Sequence, residues 1–331
     1  MIWLTWRQYR VEMLVMGIVL LLFAVVLLIT GISIAAEAHN VGFSACMSHH
    51  AVCLQARGAL EDYIHAITGS SAFYFFCLVL PLALPVLTGM FVGAPAIARE
   101  FEQGTYRLVW TQGIPWNRWL WMKIGLITCG VGGAFGILYA FFSWWSFPIA
   151  SLLAQNGSID VSNQFEGWGF VAIAYALFAL ALGIFAGTAI RKTVPAIALT
   201  LVLFVVVRVL VVNFWRPYYL PPVVVTTPAN VAAQIPAGSW ILDDETVNRQ
   251  GLTITSDAMA VCDNLLSSNP TSAESDQYNH CITAHGFQNK VVYQPPDRFW
   301  LLQAIESGIF LLFAALLVAM TFWWTKYRII G

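Results

Sequence analysis

The sequence predicts an all-α polytopic membrane protein with six transmembrane helices and a larger extracytoplasmic insert between helices five and six. Three observations carry that prediction. First, 59% of the 331 residues are hydrophobic and only 10% are charged, against about 25% in an average soluble domain. A chain so poor in charge must turn most of its perimeter to lipid. Second, six apolar runs reach the roughly 20 residues that a helix needs to cross the hydrocarbon. Third, lysine and arginine collect in the short loops of one side. The formal net charge of -1 offers no basic face to a nucleic acid.

The runs lie near Met13–Ala35, Ala72–Ala96, Leu120–Phe147, Phe170–Ile190, Thr193–Trp215 and Phe299–Trp324. Each is continuously apolar, whereas the strands of a membrane barrel alternate over about ten residues. The first run, flanked by Arg7, Arg10 and Ala36-Glu37-Ala38, imitates a signal peptide. Signal h-regions are only about 7–15 residues long, so the run is read as a retained span. The chain then divides into spans one to five over 1–215, an outer domain over 216–298, and span six with a short tail over 299–331.

Positive charge marks the cytoplasmic side. With both termini inside, the inner segments hold Arg7, Arg10, Arg99, Arg107, Arg118, Lys123, Arg191, Lys192, Lys326 and Arg328. The much longer outer segments hold Arg57, Arg216, Arg249, Lys290 and Arg298. Trp116, Trp119, Trp121, Trp144, Trp145, Trp300, Trp323, Trp324 and Tyr327 sit at predicted span ends, where amphipathic rings favour the headgroup layer.

Two segments lie outside, Glu37–Ser71 and the insert Arg216–Arg298. The insert opens on Arg-Pro-Tyr-Tyr-Leu-Pro-Pro, which reads as extended chain. Val223–Thr227 follows as a strand and Ser256–Leu266 as a short helix. Of the six cysteines, Cys77 and Cys129 fall within spans as small apolar groups. Cys46 with Cys53, and Cys262 with Cys281, share outer loops, where the oxidising side of a membrane favours disulfides. His49 and His50 neighbour the first pair, and His280 and His285 the second, but neither cluster has paired C-x2-C zinc spacing. No metal is expected.

Within the membrane, Gly132-x-x-x-Gly136 and Gly183-x-x-x-Gly187 permit close backbone approach, as packing faces within or between subunits. Pro81 and Pro85 each remove a backbone donor and should kink span two. Arg208 and Glu306 are charges inside spans five and six, where a lone charge costs several kcal/mol. Counted from the outer ends, both lie at roughly 10 Å depth, so they are expected to pair. Such a pair either locks two helices or serves a substrate path or gate.

The segment from Ala98, AREFEQGTYRLVWTQGIPWNRWLWMKIG, carries two acids, three arginines and a lysine between two apolar runs. Read from the residues alone, it is either a lipid-anchored loop or a surface that presents acids to a soluble partner. Its Arg99-Glu100-Phe101-Glu102-Gln103-Gly104-Thr105, then Thr111-Gln112, Arg118 and Lys123, resemble the membrane subunits of ABC-2 type ABC transporters. The N-terminal Met1-Ile2-Trp3-Leu4-Thr5-Trp6-Arg7-Gln8 is similar to permeases of this kind from Gram-positive and related bacteria. The six-span plan, with a short interfacial helix before span one, fits as well. The large insert departs from the family pattern.

The resemblance implies a bacterial cytoplasmic membrane location and a coupling loop over 98–120 that docks on a cytosolic ABC ATPase. It places Glu100, Glu102, Gly104, Thr105 and Arg107 at or near that contact. It also implies a second permease copy, identical or not, surrounded by membrane lipid. The chain has no G-x-x-x-x-G-K-[ST] loop, H-E-x-x-H or G-x-S-x-G, so ATP and Mg are expected on the partner and no cofactor or catalytic residue here. The expected function is the permease of an exporter for a lipid, peptide antibiotic or other amphiphile. An ATP-independent carrier or channel, and a sensor or scaffold with a ligand-binding outer domain, remain the alternatives.

Overall fold

The computed structural model describes residues 2–43, 54–68, 80–104, 115–156, 165, 169–231, 233–236, 238–254, 256–265 and 271–327. The chain divides into two compact units, one of Met1–Leu152, Gln164–Asn213 and Trp300–Gly331, the other of Leu153–Asn163 and Phe214–Phe299.

The first unit is helical. Helix α1 runs Ile2–Asn40 and α2 Leu54–Thr68. Helix α3, Leu80–Thr88, passes through a π turn at Gly89–Gly93 into α4, Ala94–Glu102. Helix α5 spans Trp116–Asn156, α6 Val171–Ile190, α7 Thr193–Leu210 and α10 Phe299–Thr325. Among the described residues five stretches are long and apolar enough to cross a membrane: Gly17–Asn40, Trp116–Trp145, Val171–Ile190, Thr193–Tyr218 and Pro296–Thr325. The run read as span two lies partly outside the described residues; its second half is α3, the π turn and α4. No break separates the expected interfacial helix from span one, because α1 is continuous. Pro85 lies inside α3, one turn before the π segment, where a missing donor and ring clash disturb the i→i−4 ladder.

Helix α6 is the centre of this unit. Of its most apolar window 72% is buried, against 22–28% for the other spans. Its alanines and glycines leave room for neighbours on every side. Elsewhere, Phe23, Leu27 and Ile34 of α1 pack with Leu60 of α2 and Phe135, Leu138 and Trp145 of α5. The Trp145 indole donates to Thr30 Oγ1 at 3.0 Å, satisfying the polar end of a buried ring.

The tryptophans therefore do not all form a belt. Trp116, Trp119 and Trp145 are buried, while Trp121, Trp144, Trp300 and Trp323 face outward. Cys129 also departs from expectation: it is exposed on the helix flank. Cys77 lies outside the described residues.

The second unit corrects the all-α expectation. It carries a three-stranded antiparallel sheet in the order β1-β3-β2, with β1 Val223–Pro228, β2 Trp240–Val247 and β3 Gln288–Gln294. Helices α8, Ser256–Asp263, and α9, Ser272–His285, accompany it. The run Val223–Thr227 announced β1 through its β-branched residues. Strands β2 and β3 are mixed polar sequences without clean alternation, and β2 has a bulge between Ile241 and Asp243. Thr271 and Glu274 form a capping box at the start of α9, and Gly286, in the left-handed region, ends it.

Candidate functional site

Helix α4 ends in Glu100-Phe101-Glu102, and each of these three residues engages a different neighbour. Two positions along a helix turn a side chain by about 200°, so the two carboxylates leave opposite flanks. Glu100 Oε1 accepts from Lys123 Nζ of α5 at 2.5 Å, both side chains being buried. Lys123 also lies over the Trp119 ring, 5.0 Å from its centroid. Glu102 Oε1 accepts from the Thr193 backbone N–H at 2.9 Å, and Oε2 from the Thr193 hydroxyl at 2.6 Å. Between them the Phe101 ring lies 5.6 Å from the Arg191 guanidinium.

Thr193 is the first residue of α7, where backbone N–H groups lack partners within the helix. The residue at the cap, Lys192, is extended and provides no side-chain cap. Glu102 supplies one from another helix. Those Thr193 bonds, first the hydroxyl and then the N–H, hold the Glu102 carboxyl below its ordinary value. The tight α6–α7 turn places Arg191 at φ 59, so the Phe101 stack forms on a backbone geometry that few side chains adopt.

This geometry corrects the reading of Glu100 as an acid presented to a partner. It is turned inward to neutralise Lys123, since burying either charge alone is costly. Glu102 is exposed but engaged by α7. Gly104, at φ +69, is the left-handed residue that ends α4. Thr105 and Arg107 lie outside the described residues.

A second polar cluster sits in the membrane half of the same unit. Arg208 Nη1 of α7 stands 3.8 Å from Glu306 Oε1 of α10. Sequence reasoning missed the third member, Tyr175 of α6. Its hydroxyl donates to Glu306 Oε1, and its ring lies under the Arg208 guanidinium, 3.7 Å from the centroid. The one available hint was that Tyr175 is the lone phenol of Val171–Ile190, whose other hydroxyl is Thr188; a buried phenol needs a partner, but the sequence does not name it. One turn before Glu306, Gln303 donates to the Phe165 carbonyl at 2.5 Å and accepts from the Val171 N–H at 3.1 Å.

The four packing glycines separate into two kinds. A Cβ on Gly183 would strike the Gly89 carbonyl, and one on Gly187 the Ala94 carbonyl. Gly93 answers from the other side, its virtual Cβ 2.7 Å from the Leu180 carbonyl. Small residues on both helices thus seat α6 against the π turn and α4. By contrast Gly136 has nothing within 4 Å and Gly132 only Leu177 Cδ2 at 3.9 Å.

In the second unit Cys262 and Cys281 form a disulfide with Cα atoms 5.7 Å apart, beside Ile282 and Phe287. The grouping of these sulfurs with His285 therefore offers a metal one nitrogen alone. Cys46 and Cys53 lie outside the described residues.

The fold defines a mostly helical, multi-pass membrane protein. The family model described as ABC-2 membrane transporter related matches residues 17–216, more than half of the chain, and the chain belongs to this family. It is an ABC transporter permease, and membership implies association with an ABC ATPase. The matched region contains α4 and both helices it grips, and ends where the insert begins. No curated protein and no solved structure matches the chain.

Proposed function

We propose that the chain is the membrane subunit of an ATP-driven exporter for an amphiphilic substrate, with a separate cytosolic ATPase supplying hydrolysis. Six spans, cytoplasmic termini, an extracytoplasmic insert and a second permease copy complete the reading. The observation that carries it is the triple grip at the end of α4. Glu100 ties α4 to α5, and Glu102 ties it to α7. A push on the chain after Gly104 then reaches two spans together, which is what coupling nucleotide-driven closure to transport requires. Glu100, Phe101 and Glu102 are positioning residues in this scheme, and the docking contact lies beyond Gly104, in the stretch that includes Thr105 and Arg107. The buried cluster of Arg208, Glu306, Tyr175 and Gln303 favours a second reading, an ATP-independent carrier.

The test is co-reconstitution of the complete chain and its ATPase into vesicles loaded with a fluorescent amphiphile. The exporter reading expects dye movement that needs both chains and ATP. Movement with the chain alone and no nucleotide supports the carrier. No movement with either arrangement, for a panel of cationic, anionic and neutral dyes, removes the export assignment.

A further inference from the structure

A groove of about 900 Å³ opens between α5, α6 and α10, within the roughly 300–1,000 Å³ of sites that hold a small molecule. Along α10 it extends from Leu311 to Tyr327, about 24 Å of helix, more than the roughly 15 Å of one leaflet's hydrocarbon. Its walls are apolar along most of that length, with Leu177, Leu311 and Ala315 among them. Among the described lining residues, charge and amide groups occur at one end only, as Lys326 and Asn117, and none is a carboxylate. Lys326 is exposed beside the Tyr327 ring, 5.3 Å from its centroid, and Trp323, one turn earlier, is also exposed.

We infer that this groove is a lipid site, occupied by an acyl chain of an anionic phospholipid whose phosphate meets Lys326 and Asn117. The arrangement is that of the ligand: a cation, an amide and amphipathic rings at headgroup level, then a long apolar channel. Among the described lining residues the charge has no carboxylate to balance it, so an anion completes it. A second copy of the chain completes it less well. A two-fold axis along the membrane normal brings equal depths together, which would set Lys326 level with its own copy. The site goes beyond the transport reading, since it needs neither ATP nor a substrate.

Native mass spectrometry of the complete chain in mild detergent tests the inference. The probes are phosphatidylglycerol and phosphatidylcholine with identical acyl chains. The expected result is one tightly held phosphatidylglycerol per chain, retained in preference to phosphatidylcholine. A basic residue near the surface contributes about 1 kcal/mol toward an anionic lipid, so Lys326→Gln should weaken retention about five-fold. Ala315→Phe should fill the channel and abolish retention of both lipids, whereas Val202→Phe, on an outward face of α7, should change nothing. If Ala315→Phe does not fold, the Lys326→Gln titration decides alone. Equal retention of both lipids, unchanged in Lys326→Gln, overturns the inference. So does oxidative Cys129–Cys129 cross-linking of two copies in native membranes, because Cys129 lines the groove and a second copy would then cover it.

Discussion

The Glu102 carboxylate caps a helix to which it does not belong: both its oxygens accept from Thr193, the first residue of α7. That bond joins the end of the charged segment to a membrane span. It has a pH signature. The folded-state value is depressed below the ordinary 4.5, so the cap contributes stability above that pH and loses it as pH falls through the lower folded value. Glu102→Ala should lower the melting temperature at pH 7, and the gap to the unsubstituted chain should close as the pH falls below 4.5. Thr193→Val, which keeps the N–H but loses the hydroxyl, should fall between them. A gap that persists unchanged in acid would remove the capping role.

The Glu100–Lys123 pair should respond differently, because both groups are buried. Lys123→Met leaves a buried carboxylate without its counter-ion, at a cost of about 3–5 kcal/mol. Adding Glu100→Leu should recover most of that loss. Denaturant titration of the detergent-purified single and double variants measures it, and a double variant as unstable as the single one would show that the pair does not act as a unit.

The same logic applies to Arg208 and Glu306, with Tyr175 as a third arm. Either charge removed alone should destabilise more than Arg208→Met with Glu306→Leu together. Tyr175→Phe removes the donor to Glu306 and should cost about 1–3 kcal/mol. Equal losses in the single and double charge variants, read by thermal unfolding, would refute the coupling.

The glycines give a sharp contrast. Gly183→Ala places a methyl against the Gly89 backbone, which a flexible side chain could evade but a carbonyl in a packed helix cannot. It should lower the melting temperature markedly, while Gly136→Ala, with open space around it, should be neutral or slightly stabilising through helix propensity. Loss from both substitutions alike would mean that the Gly136 face is also covered.

Five of the span positions were legible, because length and apolarity are the physical requirements for crossing lipid; the run near Ala72–Ala96 is not among the five. The Arg208–Glu306 pairing was legible for a similar reason, since two lone charges at one depth have few other partners. Tyr175 was not, because one phenol in an apolar helix carries no depth or partner label by itself. Glu100 was misread because charge density in a loop segment looks the same whether a carboxylate points outward or toward a lysine 23 residues away in sequence. The glycine repeats were equally legible and physically unequal: spacing names a face, but only the neighbouring backbone says whether it is used. In the insert, β-branched Val223–Val225 marked one strand, while the charged β2 depended on pairing with β3, and α9 was marked only by its Thr271-x-x-Glu274 cap and Gly286, which went unread.

The measurement that bears most directly on the account is affinity purification of the tagged chain from its native membrane in mild detergent, with identification of what accompanies it. The account predicts an ABC ATPase in stoichiometric amount. It also predicts that charge-changing substitutions beyond Gly104, beginning with Arg107→Glu, weaken that capture while Glu100→Gln leaves the bound ATPase in place. Recovery of the intact chain without any ATPase would contradict it.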